Sequence, residues 1–284
     1  MTKKIAKEIP LGLFNAEFQK LAKLRHVRTE ADYKDGISDF YDALQDGYQQ
    51  DVVFFLKKLG KKPLTVLELG GGTGRITIPL AKAGHTVYTL DNSQSMQRVL
   101  MSKLDGKLKK RVVPVNAPMT DFSLDARFDL VILGLNTVFY LLKAEDRLAC
   151  FNRVKAHLKK NGRFIIDLML PRVSDLQNTR GKYDFSVLDG PGNTKRLSLT
   201  FTKYDRKRQL QALNFLSIDI KPDGKAEFFI TPSAEYYPSP GEMKLLLAQC
   251  GFKIESFCGD YKGTPFEDDA TKGDLVITAR PKNT

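Results

Sequence analysis

The sequence has no tryptophan, and only three cysteines and three histidines among its 284 residues. The cysteines form no CxxC pair and the histidines lie far apart, so no zinc-ligand spacing is present. We therefore predict no metal site. A sparse, odd number of cysteines is typical of a reducing compartment, which favours a cytoplasmic protein.

Long apolar runs are also missing from the sequence. No stretch approaches the roughly 18 consecutive apolar residues of a transmembrane helix. The charged segment MTKKIAKEIP has no apolar run behind it, so we expect no secretory signal. Hydrophobic residues nevertheless make up 42% of the chain. This composition favours a folded protein with a sizeable core over a disordered chain.

Acidic residues are in the minority, 33 against 45 basic ones, and the net charge is +12. Such a balance is compatible with a nucleic-acid partner, an anionic substrate or a basic surface. The basic clusters are dispersed along the chain and acidic residues interrupt several of them. We therefore expect a solvated basic surface and no specific nucleic-acid partner.

Strand-like and helix-like segments alternate between residues 64 and 170. This order is typical of βαβ units in a doubly wound, mostly parallel sheet. Two further strand-like segments near the end of the chain give seven strands, so we predict a Rossmann-like α/β fold. The predicted strands span 64–69, 85–91, 111–117, 128–135, 163–170, 253–259 and 273–281.

The remaining segments predict two additions to this domain, which itself comprises residues 63–170 and 239–284. Residues 1–62 form a helical cap, with one helix over 38–60 ended by Gly60 and Pro63. Residues 171–238 carry strand-like runs separated by turns, which indicates an antiparallel insertion. The insertion either covers the acceptor pocket as a lid or contacts a second copy in a homodimer. Its aromatic side chains, such as Phe228, Phe229, Tyr236 and Tyr237, either line that surface or form the insertion's own core.

A glycine-rich turn joins the first predicted strand to a helix. In VLELGGGTG, Gly70, Gly72 and Gly74 alternate, and such glycines let a ligand approach the backbone closely. The dinucleotide pattern GxGxxG would need glycine at position 75, where Arg75 stands. The spacing therefore disfavours a nicotinamide cofactor.

Two carboxylates accompany this turn. Glu68 ends the first strand, and the carboxyl ends of parallel strands face the ligand crevice. A carboxylate there suits a ligand ammonium group. Asp91 ends the second strand about twenty residues after the turn, where a carboxylate accepts hydrogen bonds from a ribose diol. The alternative for Asp91 is a cap of the next helix, a role that Ser93 can also fill.

On these residues the chain resembles the class I S-adenosylmethionine-dependent methyltransferases. It is similar in particular to their small-molecule subgroup, which includes sugar-amine and glycine-type N-methyltransferases. The resemblance runs from about residue 40 to 280. It is carried by VLELGGGTGRITIPLAKAGHTVYTLDNSQSM, MTDFSLDARFDLVILGLNTVFYLL, HLKKNGRFIIDLMLP, YDALQDGYQQDVVFFL and LLAQCGFKIESFCGDY.

The resemblance implies S-adenosyl-L-methionine as cofactor and assigns roles by position. Residues at the glycine turn would border its methionine portion and sugar, Asp91 would bind the ribose hydroxyls, and the remainder would lie beside ribose, adenine or the methyl group. Pro118 replaces the aspartate that usually receives the adenine amino group. The implied cofactor residues are Glu68, Gly70, Gly72, Gly74, Asp91, Asn92, Met96, Ala117, Pro118, Met119, Leu133 and Asn136.

Fewer residues are assigned to the acceptor side. Methyl transfer from a sulfonium is an in-line displacement, in which positioning a neutral nucleophile supplies most of the catalysis. Tyr140, where relatives often have histidine, and Tyr41 are the candidates for orienting a small-molecule acceptor. Both tyrosines could instead be packed aromatics with wet hydroxyls. His157 is expected on the surface and not as a base.

Three other functions compete with a small-molecule methyltransferase. An RNA methyltransferase would account for the positive charge, but 135–138 reads LNTV where base-amine enzymes often carry Asn/Asp-Pro-Pro-aromatic. A cofactor-binding pseudoenzyme is supported only by Pro118 and Tyr140. A nicotinamide-dependent oxidoreductase is disfavoured by the glycine spacing.

Overall fold

The computed structural model describes residues 15–30, 35–45, 47–267 and 273–282. The chain divides into two compact units. The seven-stranded unit comprises residues 47–172 and 238–284, and the five-stranded unit comprises residues 1–46 and 173–237.

The helices and strands of the described residues are numbered in chain order. The helices are α1 Ala16–Leu21, α2 Asp35–Ser38, α3 Tyr41–Leu44, α4 Gln50–Leu59, α5 Thr77–Lys82, α6 Gln94–Ser102, α7 Ala144–His157, α8 Val173–Gln177 and α9 Pro240–Gln249. The strands are β1 Val27–Thr29, β2 Thr65–Leu69, β3 Thr86–Asp91, β4 Val112–Asn116, β5 Phe128–Leu133, β6 Leu158–Met169, β7 Lys182–Asp189, β8 Lys195–Asp205, β9 Leu210–Ile220, β10 Ala226–Tyr236, β11 Phe252–Cys258 and β12 Asp274–Pro281. Short 3₁₀ turns span Leu108–Lys110, Thr137–Tyr140 and Pro191–Asn193.

The larger sheet has the order β11-β12-β6-β5-β2-β3-β4. The five strands from β6 to β4 are parallel, β12 runs antiparallel to them, and β11, which is antiparallel to β12, runs in the same direction as the five. Its central strands β2 and β5 are buried, which accounts for their continuous apolar runs. The predicted seven-stranded, mostly parallel α/β fold is confirmed.

The smaller sheet has the order β1-β10-β9-β8-β7, with β1 parallel to β10 and the other pairs antiparallel. Phe201 and Ile230 of this sheet form an apolar cluster with Phe18 of α1. Phe229 and Tyr237 are buried, while Phe228 and Tyr236 are half-buried. Phe229 and Tyr237 are therefore core residues, as one of the two alternatives predicted for these aromatics.

The N-terminal helical region differs from the sequence prediction. The single helix expected over 38–60 is interrupted, because Gly47 has a left-handed φ of +85° between α3 and α4. Helix α4 packs Val52, Phe55 and Leu59 into the core of the seven-stranded unit. The boundary between the units therefore falls before residue 47 and not at 62, and residues 1–14 of the expected cap lie outside the described residues.

His157 is buried, and the expectation that it lies on the surface was wrong. His157 is the last residue of α7. Strand β6 begins at the next residue, Leu158, which pairs with Phe128 of β5. The Nε2 of His157 accepts the backbone N–H of Leu124 at 3.0 Å, and its Nδ1 donates to the carbonyl of Arg153 at 2.7 Å. Both ring nitrogens are used, so this histidine anchors a loop to the helix.

Across the described ranges, none of the helices combines the length and the apolar character needed to cross a membrane.

Candidate active site

The glycine turn lies at the carboxyl ends of β2 and β3. Gly70, Gly72 and Gly74 all have left-handed φ angles, of +69°, +54° and +89°. The N–H groups of Gly70 and Gly71 donate to the carbonyl of Leu90, at 2.7 and 3.1 Å. These bonds fix the turn against the neighbouring strand.

Two of the glycines also make room for neighbouring side chains. A Cβ on Gly70 would overlap Thr137, which lies in the turn after β5, and a Cβ on Gly71 would overlap the Thr89 hydroxyl. The close packing at Gly70 brings the loop after β5 directly against the glycine turn.

Glu68 lies beneath this turn with 4% of its surface exposed. Its Oε2 accepts a hydrogen bond from the Thr77 hydroxyl at the start of α5. Burial raises the pKa of Glu68 to about 8, although the Thr77 bond and the charge of Arg75 act in the opposite direction. A cation placed beside Glu68 would stabilise its charged form.

Asp91 joins the glycine turn to the start of α6. Its two carboxylate oxygens accept the N–H groups of Gly72 and Ser93, each at 2.8 Å. The helix cap itself is Ser93, whose hydroxyl accepts the N–H of Met96, as predicted. Burial raises the pKa of Asp91, and the backbone bonds oppose that rise. Each carboxylate oxygen retains capacity for a further donor, as a ribose diol would require.

The residues expected around adenine have different degrees of burial. Asn92 and Pro118 are exposed, Ala117 and Met119 are half-buried, and Met96 is 1% exposed within the core. Sequence reasoning missed a neighbour of Asp91: Asn116 ends β4, pairs with Asp91 in the sheet register and is exposed. The position of Asn116 at a strand end was a signal available in the sequence. The adenine-side assignments stay predictions.

The loop after β5 contains a strained backbone. Leu133, the last residue of β5, is fully buried. In the loop that follows, Leu135 and Asn136 have left-handed φ angles of +47° and +61°. The Leu135 N–H donates to Asp167 Oδ1, and Asn136 Oδ1 accepts the N–H of Met169 at 2.6 Å. Residues in this region of φ cost free energy and cluster at ligand sites.

A second group of side chains, missed by sequence reasoning, surrounds Asp167 at the carboxyl end of β6. The Tyr261 hydroxyl donates to Asp167 Oδ2 at 3.1 Å, and the hydroxyls of Tyr48 and Tyr261 lie 3.1 Å apart. Burial raises the pKa of Asp167 to about 7. The single polar residue within the apolar run FIIDLML was the available signal.

An ion pair adjoins this group. Asp51 of α4 is fully buried and is bound by both terminal nitrogens of Arg75, which follows the glycine turn. Arg75 also donates to the carbonyl of Tyr48 at 3.1 Å. The pair therefore connects the glycine turn to the tyrosine that faces Asp167.

The two candidate acceptor residues lie in separate units. Tyr41 begins α3 in the five-stranded unit, and Tyr140 ends the 3₁₀ turn after β5 in the seven-stranded unit. Both are half-buried. Their role in orienting an acceptor stays a prediction.

Comparison with known proteins agrees with this geometry. Residues 66–162 match the methyltransferase domain family. The cypemycin N-terminal methyltransferase of a Streptomyces species is 28% identical over 202 residues, covering 71% of this chain and 78% of that protein.

Two solved structures share the fold. The CcbJ methyltransferase of Streptomyces caelestis has a TM-score of 0.70 at 23% identity, covering 89% of this chain and 99% of that one. The sugar N-methyltransferase KedS8 of a Streptoalloteichus species has a TM-score of 0.67 at 16% identity, covering 86% and 91%.

The matched domain spans the glycine turn, Asp91 and the loop after β5, which are the parts that the geometry brings to one edge of the sheet. A methyltransferase domain at this edge argues against the oxidoreductase alternative. Residues 66–162 carry a methyltransferase domain, on the fold of S-adenosylmethionine-dependent methyltransferases.

Proposed function

We propose that the enzyme transfers the methyl group of S-adenosylmethionine to a nitrogen or oxygen nucleophile of a small molecule. The observation that carries this proposal is the glycine turn tied to Asp91 through the Gly72 N–H, with the buried Glu68 beneath it. This arrangement offers a ribose diol and a methionine ammonium group their partners at the carboxyl edge of a parallel sheet.

In the proposal Glu68 and the turn glycines adjoin the methionine portion, and Asp91 accepts the ribose hydroxyls. Asn92, Met96, Ala117, Pro118 and Met119 surround the adenine. Leu133 and Asn136 lie beside the methyl group because their loop packs against Gly70 through Thr137. The adenine amino group finds no carboxylate at Pro118, and the exposed Asn116 amide offers it an acceptor instead.

Support for a small acceptor comes from the similar proteins and from the chemistry. The names of the cypemycin enzyme and of KedS8 place their transfers at an N-terminus and at a sugar nitrogen. Methyl transfer needs a neutral nucleophile in line with the sulfonium, and positioning supplies most of the rate. Tyr140 and Tyr41 are proposed to orient the acceptor.

The proposal includes a cytoplasmic location, no membrane and no specific nucleic-acid partner. All three cysteines are free, as a reducing compartment requires. A homodimer formed through the insertion at 171–238 is the proposed alternative to a lid, and analytical ultracentrifugation of the full chain tests for the dimer.

Calorimetry with the full chain tests the cofactor. We expect saturable binding of S-adenosylmethionine and of its demethylated product, and none of NADH. Radiolabelled methyl transfer to a panel of small amines, alcohols and carboxylates then tests the acceptor class. Binding of NADH without a response to either adenosyl compound would refute the proposal. If the radiolabelled methyl group entered only RNA, the acceptor would be RNA and not a small molecule.

A further inference from the structure

A small recess with a free volume of about 10 Å³, the space of roughly one water-sized group, lies at the carboxyl ends of β5 and β6. Leu135 and Asn136 line it on the side of the glycine turn, and Asp167, Tyr261 and Tyr48 line it on the other. Pockets that enclose a whole drug-sized ligand measure about 300–1,000 Å³. The recess therefore has room for one functional group of an acceptor and not for a whole cofactor.

The lining of the recess is acidic in a chain whose net charge is +12. Asp167 and Asp274 contribute carboxyl groups, and among the described residues that line the recess none is lysine or arginine. Asp167 is 2% exposed, so its charge is little screened by water. A group that enters this recess must supply hydrogen-bond donors and positive charge.

We infer that the recess binds the protonated amine of the acceptor and that Asp167 takes its proton, with Tyr261 and Tyr48 as positioning residues. The inference rests on the proposed function, whose acceptor it narrows from a nitrogen or oxygen nucleophile to an amine. The recess shares Leu135 and Asn136 with the loop proposed to face the methyl group, so an amine held there lies next to the reacting centre.

The chemical steps balance without another reactant. One N–H proton of the ammonium moves to the Asp167 carboxylate, and the nitrogen regains its lone pair. The neutral amine attacks the sulfonium methyl in line, so the N–C bond forms as the C–S bond breaks and its electrons remain on sulfur. The product is a methylated ammonium, a neutral thioether and a protonated Asp167. Once protonated, Asp167 donates to the Tyr261 hydroxyl in a reversal of their observed bond, and Tyr261 can in turn donate to the Tyr48 hydroxyl, 3.1 Å away.

The charges that face Asp167 favour this role. Burial and the neighbouring charge of Asp51 raise the pKa of Asp167 to about 7, while the Leu135 N–H, the Tyr261 hydroxyl and Arg75 act to lower it. Asp274 on β12 and the Tyr48 side chain also line the recess. A base with a pKa near the working pH is efficient in general acid–base catalysis.

Binding is tested without relying on turnover. The protein, labelled with ¹³C at its tyrosine Cζ atoms and saturated with S-adenosylhomocysteine, is titrated with propylammonium chloride, propanol and sodium propionate. We expect propylammonium alone to shift the signals of Tyr48 and Tyr261, assigned with Tyr→Phe variants. In Asp167→Asn the propylammonium affinity should fall about 10- to 150-fold, the loss expected for a hydrogen bond to a charged group. Equal shifts with propanol or propionate, or none with propylammonium, would overturn the inference.

Catalysis is tested on the best amine found in the acceptor panel. The wild-type kcat/KM should rise with pH through a pKa near 7, because the carboxylate form is the base. Asp167→Asn should lose that limb and about 10²–10⁴-fold in kcat. Tyr261→Phe keeps the bond from Leu135 to Asp167 and should lose about tenfold. Tyr88→Phe on β3 is the matched control, and its profile should remain that of the wild type.

The outcomes separate this inference from the proposed function. S-adenosylhomocysteine binding that persists in Asp167→Asn shows that the variant is folded. If the wild type binds this compound but methylates alcohols, or if Asp167→Asn keeps its activity and pH limb, the inference fails and the proposed function stands. If the wild type binds no adenosyl compound, the proposed function itself fails.

Discussion

The two sheets hold their buried carboxylates in different ways. In the five-stranded unit, Asp219 accepts two bonds from Arg196, at 2.6 and 2.7 Å, and the guanidinium lies 3.9 Å from the centre of the Phe40 ring. At the carboxyl edge of the seven-stranded sheet, Glu68 and Asp167 are bound by hydroxyl and backbone donors, and burial raises the pKa of each.

This difference separates a structural acid from a reactive one. A paired buried carboxylate is neutralised locally and leaves little capacity for a ligand. A carboxylate bound only by neutral donors stays costly to ionise, so a cationic ligand gains by approaching it. The seven-stranded unit contains both kinds: Asp51 is paired with Arg75, whereas Glu68 and Asp167 form no ion pair within the part of the chain that the structure describes. The comparison therefore concerns local surroundings more than the type of sheet.

Breaking the structural pair should give the largest effect. Arg196→Met leaves Asp219 buried without its cation, and we expect a loss of about 3–5 kcal/mol in the free energy of unfolding, measured with urea. The double variant Arg196→Met, Asp219→Leu is the control and should recover most of that loss, because apolar replacement of both partners is often neutral. A cost below about 1 kcal/mol for the single variant would show that the pair behaves like an exposed one.

A change at the ligand edge should affect binding more than stability. Asp91→Asn removes the charge that faces the ribose, and the dissociation constant for S-adenosylhomocysteine should rise about 10- to 150-fold by calorimetry. Ser93→Ala is the matched control, since it removes the cap of α6 at a cost of about 1 kcal/mol in stability and leaves the carboxylate. If Asp91→Asn binds like the wild type, Asp91 serves only to hold the turn.

The features predicted from the sequence depend on residues close together in the chain, whereas the site residues that were missed are far apart in it. The strands, the Ser93 cap and the position of Asp91 follow from patterns within a few residues, and the seven-stranded fold and the cap are confirmed. Tyr261 lies 94 residues from Asp167 and 213 from Tyr48, so only the folded sheet brings them together. His157 was misjudged because its polar contacts come from a loop and not from its own helix.

The pH dependence of stability offers a smaller effect at Glu68. Folding raises its pKa to about 8, so the native state holds this proton more tightly than the unfolded chain. The free energy of unfolding must therefore fall as the pH rises from about 4.5 to about 8. Glu68→Gln removes this dependence while keeping an acceptor for Thr77. We expect the Tm of the variant to fall less than that of the wild type between pH 5.5 and pH 8.5. The difference should be about 2–4 °C for each kcal/mol that Glu68 contributes to the pH dependence of the free energy of unfolding.

The contribution of Asp167 has the same sign and is present in both proteins, so it cancels from this difference. Glu145→Gln, at an exposed position in the first turn of α7, is the matched control and should retain the wild-type dependence. An unchanged pH dependence in Glu68→Gln would mean that water reaches the carboxylate and that its burial is only apparent.

The smallest effect concerns the basic surface, which contrasts with the acidic lining of the recess. Dispersed positive charge binds nucleic acid weakly, with dissociation constants of about 10⁻⁴–10⁻⁶ M and a steep dependence on salt. We expect RNA binding in a filter assay to be lost by 200 mM salt, and no radiolabelled methyl to enter the RNA. Replacing the exposed Lys109 and Lys110 with glutamine should flatten the salt dependence without changing cofactor binding, because each phosphate contact contributes separately to the slope. Sub-micromolar, sequence-selective binding that persists at 200 mM salt, with label in the RNA, would make the basic surface a substrate site and the acidic recess a secondary feature.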